Sequence, residues 1–211
     1  MKLERYVVGI VETNCYFVIN EDTGEMVCVD PGILGDKLAE AALRDGYKPV
    51  AVLLTHGHFD HVGGAEEFVN TSALNAGDGK QIPVCILDKD RETMADPEKN
   101  ASWMIRRSRE YRADHMLQDG QELILAGMNF KVIHTPGHTP GGCCYYLEQE
   151  GILFSGDTLF RSSRGRTDLP GGSEDQLLAS IRDRLMPLPE QVKVLPGHGE
   201  ATTIGEERRY Y

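Results

Sequence analysis

The amino-acid sequence predicts one globular domain of the mixed α/β class. Short runs of valine, leucine and isoleucine recur along the chain and end in loops that contain glycine or proline, as buried strands do. Segments with apolar residues at helical spacing lie between these runs. The chain has 211 residues and no linker rich in serine, proline or glycine, so one sizeable core over residues 1–211 is expected.

The first half of the chain predicts strands interrupted by helices. In order, strands are expected at residues 3–11, 14–20 and 25–30, a helix at 36–44, a strand at 50–54, a helix at 64–70 and a strand at 83–87. A turn at residues 21–24 joins the second and third strands, and a turn that contains glycine and aspartate precedes the strand at 83–87. The helix at 36–44 rests on the helical spacing of Leu38, Ala41 and Ala42.

The second half predicts mostly strands and one long helix. Strands are expected at residues 122–125, 129–134, 143–147, 151–155 and 192–195, and a helix at 173–185. Ser173 fits the N-cap of that helix, with Glu174 and Asp175 in its first turn. Segment 88–115 carries the densest charge, and part of 98–112 is expected to form a surface helix; covering a functional site is the alternative for this segment.

A cluster of residue types that bind metals stands at residues 55–61, with the sequence THGHFDH. Its candidate ligands are His56, His58, Asp60 and His61. Imidazole and carboxylate groups suit zinc, iron, manganese and similar divalent metals. Because the cluster follows the apolar strand 50–54, it lies on a loop held by a rigid scaffold. His56 and His58 share one side of an extended segment, and His61 could share a face with His58 if the chain begins to coil. Asp60 cannot point the same way as both of its neighbours, so two adjacent metals fit better than one.

Three further ligands are expected at the ends of other strands. His138, Asp157 and His198 each follow an apolar run and stand in a loop rich in glycine or proline. Four such strand ends can converge on one edge of a sheet core. The other two histidines are expected elsewhere, with His115 on the surface and His134 as a buried, hydrogen-bonded residue that supports the ligands.

Composition and charge limit the function classes. The net charge of −11, from 22 basic and 33 acidic residues, disfavours binding to nucleic acid or to an anionic membrane. No stretch approaches the roughly 20 apolar residues of a membrane span, and the N-terminus lacks the pattern of a signal peptide. Five cysteines without C-x-x-C spacing do not suggest a disulfide framework, so a cytoplasmic protein is expected.

The order of these motifs resembles the metallo-β-lactamase superfamily across nearly the whole chain. The shared pattern is His-x-His-x-Asp-His, then a Gly-His turn, then Gly-Asp and a final Gly-His. Further motifs look like the glyoxalase II group, in particular its short bacterial members: TNCY at 13–16, VDPG at 29–32, SGDTLF at 155–160 and GRTD at 165–168. The resemblance implies the αββα four-layer sandwich, with two mixed sheets face to face and helices outside. Since the chain stops at Tyr211, it also implies that the C-terminal helical domain of full-length glyoxalase II is absent.

The resemblance further implies a role for each ligand. The first metal would be held by His56, His58 and His138, the second by Asp60, His61 and His198, and Asp157 would bridge them. Asp60 and His61 would be the catalytic ligands, with Asp60 orienting the nucleophile. Asp30 would support the metal loop rather than bind metal. Zinc is the expected metal, and ligation by nitrogen and oxygen alone also admits iron or manganese.

A centre with two divalent metals suits the hydrolysis of a thioester. Two metals about 3.5–4 Å apart can share a water, lower its pKa towards ~7 and provide a bridging hydroxide as nucleophile. A thiolate leaving group, with a pKa near ~8.5, needs little protonation to depart. By resemblance, the expected partner is a small-molecule thioester, S-lactoylglutathione or a related hydroxyacyl thioester.

Other functions remain open. A persulfide dioxygenase, an oxidoreductase that shares the Gly-Arg-Thr-Asp loop, would use a single iron held by His56, His138 and Asp157. Hydrolysis of another ester, such as a lactone, is a second alternative. A metal-binding protein without catalytic activity is the third.

The loop after Asp157 carries the candidate substrate contacts. Arg164 or Arg166 is expected to bind a substrate carboxylate, because guanidinium groups match carboxylates in geometry. The alternative is a structural pair such as Arg166 with Asp168.

Overall fold

Within residues 1–76 and 81–211, which the computed structural model describes, the fold is a sandwich of two six-stranded sheets. The sheets pack face to face, and helices cover their outer faces. Each sheet mixes parallel and antiparallel strands. The predicted α/β class and the four-layer αββα arrangement are therefore confirmed. Among the helices of the described ranges, none is long and apolar enough to cross a bilayer.

The first sheet contains the N-terminal strands in sequence order. They are β1 (Lys2–Val8), β2 (Thr13–Ile19), β3 (Glu25–Val29), β4 (Lys48–Leu53), β5 (Val84–Leu87) and β6 (His115–Leu117). The strands β1 to β3 are antiparallel, and β3 to β6 run parallel. Parallel neighbours need crossover connections. These connections contain α1 (Gly35–Arg44), α2 (Phe59–Val62), α3 (Ala65–Ala76) and α4 (Arg91–Ala95).

The second sheet is built from the C-terminal half of the chain. Its strands are β7 (Glu122–Leu125), β8 (Met128–His134), β9 (Cys143–Leu147), β10 (Ile152–Gly156), β13 (Lys193–Pro196) and β14 (Thr202–Thr203), and β11 (Leu159–Phe160) and β12 (Ser163–Arg164) form a separate short ribbon. In space the order is β14-β13-β10-β9-β8-β7, and among the described strands of this second sheet only β10 and β13 pair in parallel. The helices α5 (Glu174–Ser180) and α6 (Ile204–Glu207) complete this half.

Apolar side chains fill the space on both faces of each sheet. Between the sheets lie the fully buried rings of Tyr145 and Phe154. On the outer face of the first sheet, Phe17 packs edge-on against Phe68 of α3. On the outer face of the second, Leu177 of α5 is buried against the strands. Where both faces are covered, as at β2, β5, β9 and β10, the strands are continuously buried, whereas β1, β7 and the start of β8 alternate between less exposed and more exposed residues.

The ligand-bearing loops meet where the two sheets touch. They follow β4 of the first sheet and β8, β10 and β13 of the second. Two hydrogen bonds tie the sheets together beside these loops. The Cys143 amide donates to the Thr55 carbonyl at 2.9 Å, and the Tyr145 hydroxyl donates to the Leu54 carbonyl at 2.7 Å. The loops therefore converge, as expected from the sequence, because hydrogen bonds join the residues just after β4 to β9.

Most predicted elements agree with the structure, and the differences lie in short or irregular segments. The helix expected within residues 98–112 is wrong, because only a 3₁₀ turn, Ser102–Ile105, is found among the described residues there. Left-handed backbone at Ala101 (φ 61°) and Arg106 (φ 55°) bounds this turn and prevents a longer helix. The strands β6 and β14 and the helix α6 were not predicted, since such short elements carry no periodic pattern.

Two predicted helices are found with different extents. The helix expected at residues 64–70 continues to Ala76 as α3. The helix expected at 173–185 is α5 followed by a π-helical turn, Ile181–Leu185, and Ser173 caps it by accepting a hydrogen bond from the Gln176 amide at 3.4 Å. The turn containing glycine and aspartate that was expected before β5 falls on residues 77–80, outside the described residues.

Candidate metal centre

Seven imidazole and carboxylate side chains from four loops come together at this edge of the sandwich. Their ligand atoms form three overlapping groups in which all atoms lie within 4.8 Å of one another. The groups are His56, His58 and His138; His56, His61 and Asp157; and Asp60, His61 and His198. These are the seven residues expected from the sequence. The first and third groups contain the residues predicted for the two metal positions, and the second takes one histidine from each together with Asp157; that these residues bind metal stays a prediction.

The first loop changes direction at His58. The chain is still extended there (φ −70°, ψ 145°), and α2 begins at the next residue, Phe59. The His61 amide donates to the His58 carbonyl at 3.0 Å within this first turn. The chain therefore begins to coil here, but His61 joins a different group of candidate ligands from His58 instead of sharing one with it. One short segment thus contributes to more than one group of candidate ligands.

Three histidine nitrogens face one another in the first cluster. The Nε2 atom of His138 lies 2.9 Å from Nδ1 of His58 and 3.2 Å from Nε2 of His56. Burial, reinforced by the neighbouring imidazoles, lowers the pKa of His58 to about 3 and holds the pKa of His56 well below its usual value. Both rings are therefore neutral and present lone pairs, which is the form of imidazole that binds a metal.

The second cluster is arranged around Asp60. Its Oδ2 atom lies 3.2 Å from Nε2 of His198 and 3.3 Å from Nε2 of His61. Burial acts against ionisation of Asp60, but His61 and His198 hold its pKa well below the usual value. The hydroxyl of Thr13 also donates to Oδ2 at 2.9 Å. Asp60 is thus an ionised carboxylate with one oxygen fixed in place.

Asp157 lies between the two clusters. Its Oδ1 atom is 3.4 Å from Nε2 of His61, and its Oδ2 atom is 3.5 Å from Nε2 of both His138 and His198. Although burial opposes it, the nearby His61 lowers the pKa of Asp157 to about 2. An ionised carboxylate that faces both clusters is placed to bridge two cations.

The donor atoms of this site fit divalent metal ions. Nε2 of His61 and Oδ1 of Asp157 are buried and make no hydrogen bond to any described residue. Buried polar atoms are rarely left without a partner. Nitrogen and oxygen lone pairs directed at common points would be satisfied by zinc, iron or manganese.

Hydrogen bonds behind the histidines fix which ring nitrogen faces the centre. His61 donates Nδ1–H to Oδ2 of Asp30 at 2.8 Å, and His138 donates Nδ1–H to the Arg166 carbonyl at 2.7 Å. In both rings this leaves Nε2 as the lone-pair nitrogen. Asp30, which is 2% exposed, also accepts from the Thr55 amide at 2.8 Å and hydroxyl at 2.7 Å. This is the geometry expected of a residue that supports the metal loop.

The motif at residues 13–16 supports the loop of His198. The side-chain amide of Asn14 donates to the carbonyls of Pro196 and Gly199, both at 2.9 Å, and the Tyr16 hydroxyl donates to the Pro196 carbonyl at 2.8 Å. Gly197 is required for space, because a Cβ there would lie 2.3 Å from Oδ1 of Asp157. The polar residues of β2 thus hold the turn that presents His198.

The side chains of His134 and of the loop arginines make contacts away from the seven candidate ligands. Nε2 of His134 donates to the Pro140 carbonyl at 2.9 Å, which braces the loop of His138 without reaching the ligand itself. Each arginine has an acidic partner. Arg164 pairs with Glu174 at 2.5 Å, Arg161 with Glu200 at 2.7 Å, and Arg166 with Asp168 through two bonds of 2.7 and 2.6 Å. The Arg166–Asp168 pair considered as the alternative is therefore present.

Two residues of segment 88–115 contact the metal loop and were not recognised from the sequence. The buried carboxylate of Asp90 accepts from the Gly57 amide at 2.6 Å, and the Asn100 carbonyl accepts from the Phe59 amide at 2.8 Å. These amides flank His58. Asp90 stands in the charged run DKDRE, where nothing in the sequence separates it from its exposed neighbours.

Comparisons with known proteins agree with this geometry. The family model of the metallo-beta-lactamase superfamily matches residues 8–198. The probable metallo-hydrolase YqgX of Bacillus subtilis is 37% identical over 99% of this chain and 95% of its own length. The hydroxyacylglutathione hydrolase GloC of Haemophilus influenzae is 31% identical over 99% of this chain and 96% of its own.

Two solved structures are similar over almost their whole length. The BLEG-1 B3 metallo-beta-lactamase superposes with a TM-score of 0.89 at 40% identity, covering 99% of this chain and 97% of that one. A di-iron-bound form of TTHA1623 superposes with a TM-score of 0.82 at 36% identity, covering 98% and 97%. The family model, the relatives and the fold agree, and the chain belongs to the metallo-β-lactamase superfamily as a metallo-hydrolase.

Proposed function

We propose that this metallo-hydrolase cleaves thioesters, with S-lactoylglutathione or a related hydroxyacyl thioester as its substrate. The observation that supports this most is the pair of ligand clusters joined by Asp157, which suits two divalent ions in one site. The relative described as a hydroxyacylglutathione hydrolase, similar over 99% of this chain, adds support for the substrate class. Zinc is the metal proposed first, and iron or manganese would fit the same atoms.

The residues of the site have distinct tasks in this reaction. When bound, two divalent ions would activate a water and take up the charge that develops on the carbonyl oxygen. The ionised Asp60 and Asp157 would supply the negative charge that holds two cations in a buried site. The hydroxyl of Thr13 fixes one oxygen of Asp60 at 2.9 Å, so the other is available to orient the attacking water. The departing thiolate needs no acid, because its pKa lies near ~8.5.

The proposal is tested by the hydrolysis of S-D-lactoylglutathione. Purified protein would be reconstituted separately with zinc, manganese and iron, and thiol release would be followed alongside the Asp60→Asn variant. Turnover that needs metal and is lost in the variant is the expected result. Absence of turnover with all three metals would overturn the thioester assignment while leaving the metallo-hydrolase fold in place.

The same preparations distinguish the alternative reactions. Oxygen uptake on glutathione persulfide by the iron form alone would identify a persulfide dioxygenase, which needs only one metal. Hydrolysis of a chromogenic cephalosporin is a further comparison, because the similar BLEG-1 structure is described as a metallo-beta-lactamase. A lactone substrate tests the remaining ester alternative.

Arg164 and Arg166 are the proposed contacts for a carboxylate of the substrate. Their acidic partners are exposed, and exposed ion pairs contribute only about 0–1 kcal/mol, so a substrate carboxylate can replace them. We expect Arg166→Ala to raise KM for S-lactoylglutathione about tenfold, the loss of one hydrogen bond to a charged group, with kcat nearly unchanged. Arg161→Ala is the matched control, and an equal KM for both variants and the parent would exclude this role.

A further inference from the structure

Asp90 is a carboxylate with no exposed surface that lies outside the ligand set. It is 0% exposed and stands immediately before α4. Burial raises the pKa of Asp90, and backbone amides and hydroxyls that donate to it act in the opposite direction. A buried carboxylate is unfavourable unless its oxygens are well bonded. The identity of its donors therefore indicates what it stabilises.

Three of the donors to Asp90 come from both halves of the first metal position, and Thr93 of α4 is a further donor. Oδ2 accepts from the Gly57 amide at 2.6 Å and from the Thr139 hydroxyl at 2.9 Å, and Oδ1 accepts from the Gly141 amide at 2.9 Å. Gly57 lies between His56 and His58 in the sequence. Thr139 follows His138 directly. One side chain therefore joins the two loops whose three histidines form the first cluster.

Glycine at two of these positions allows the close approach. A Cβ at residue 141 would lie 2.1 Å from the amide nitrogen of Asp90, and a Cβ at residue 57 would lie 2.6 Å from the amide nitrogen of Met94. Both loops are thus packed directly against the backbone of residues 90–94. Contact with residues 90–94, a segment that contains none of the candidate ligands, therefore sets the spacing of the two loops.

We propose that Asp90 is a positioning residue that sets the separation of the two histidine loops and thereby the affinity of the first metal position. It acts through Gly57, Thr139 and Gly141 rather than by touching metal or substrate. Because it joins His56 and His58 to His138, its loss would affect this position and leave the position of Asp60, His61 and His198 unchanged. This inference rests on the metal centre and not on the proposed thioester reaction.

The test compares metal binding by Asp90→Asn with that of the parent protein. Asparagine keeps the size of the side chain but replaces one acceptor oxygen with a donor, which faces donors already present. Both zinc affinities would be measured by competition with a chromophoric chelator, and the cobalt-substituted proteins would be compared by visible absorption. We expect the zinc affinity of the first metal position to fall about 10–100-fold and the cobalt spectrum to change, while the zinc affinity of the second position stays the same.

Glu207→Gln is the matched control for the loss of a buried charge. Glu207 is 1% exposed and accepts from the Ser162 amide at 2.9 Å and the Thr202 hydroxyl at 2.6 Å, neither of which belongs to a histidine loop. The control is expected to lose stability in urea without a change in zinc affinity. Equal losses of zinc affinity in both variants, or unchanged affinity in Asp90→Asn, would overturn the proposal.

A milder pair of variants keeps the test valid if Asp90→Asn does not fold. Thr139→Val removes one donor beside His138 and leaves the Asp90 carboxyl group in place. We expect Thr139→Val to lose zinc affinity several-fold at the same metal position. Thr139→Ser, which keeps the hydroxyl, should retain the affinity of the parent protein. Loss of affinity in both threonine variants, or in neither, would contradict a role that acts through this hydrogen bond.

Discussion

Asp60→Asn is expected to lower kcat/KM for S-lactoylglutathione by about 10²-fold or more, because the variant loses a candidate ligand of the second metal position and the group that orients the attacking water. The carboxylate faces Nε2 of His61 and of His198 with its Oδ2 atom, at 3.3 and 3.2 Å. Asparagine would remove the negative charge shared with these rings and place an amide where a lone pair is needed. Metal content at the second position should fall along with activity.

The measurement is steady-state hydrolysis together with metal analysis of the same samples. Asp36→Asn, at an exposed aspartate in the first turn of α1, is the control and should match the parent. Circular dichroism would establish that both variants are folded. Activity within about threefold of the parent would mean that Asp60 neither binds the second metal nor orients the nucleophile.

Asp30→Ala is expected to have the largest effect on stability. The side chain accepts three hydrogen bonds inside the protein, two from Thr55 and one from Nδ1 of His61. Alanine would leave these donors buried without a partner, and losing one member of a buried pair with a charged group costs about 3–5 kcal/mol. For a chain of this size that corresponds to a decrease in Tm of about 6–20 °C.

Thermal unfolding of the metal-loaded variant would measure this effect, with Asp22→Ala in the exposed turn before β3 as control. Zinc affinity is the second measurement, and it distinguishes a loss of support for His61 from a general loss of stability. Without its acceptor, the His61 ring is free to choose the other tautomer, so zinc affinity at the second position should fall about 10–100-fold. A Tm within ~2 °C of the parent would contradict this account of Asp30.

That these seven candidate ligands lie together could be predicted, because each stands in a pattern of a few neighbouring residues. An apolar run followed by a glycine and a histidine predicts a buried strand and the loop after it. Both His138 and His198 stand in this pattern. The same holds for the cluster at 55–61, where two histidines share one side of an extended segment before α2 begins. At these positions the sequence pattern that predicts the local structure also contains the candidate metal ligand.

The wrong helix within residues 98–112 has the opposite cause. Charged and apolar residues there are spaced as in a surface helix, but Ala101 and Arg106 adopt left-handed backbone. Asn100 holds the segment in this form, because its side-chain amide donates to the carbonyls of Met94 and Arg109 at 3.0 and 2.8 Å. These bonds join parts of the chain that a local pattern does not relate, and they outweigh helix propensity.

The sequence by itself determined the class of fold, the strand ends that carry ligands and the seven residue types that can hold two metals, because these follow from local periodicity and ligand chemistry. Only the tertiary structure decided which buried groups hold the ligands in place. Asp90 reaches Gly57 and Gly141 across separations of 33 and 51 residues, and Asn14 reaches Pro196 across 182. Such contacts depend on how the two sheets pack, and a charged or polar residue gives no local sign that packing will bury it.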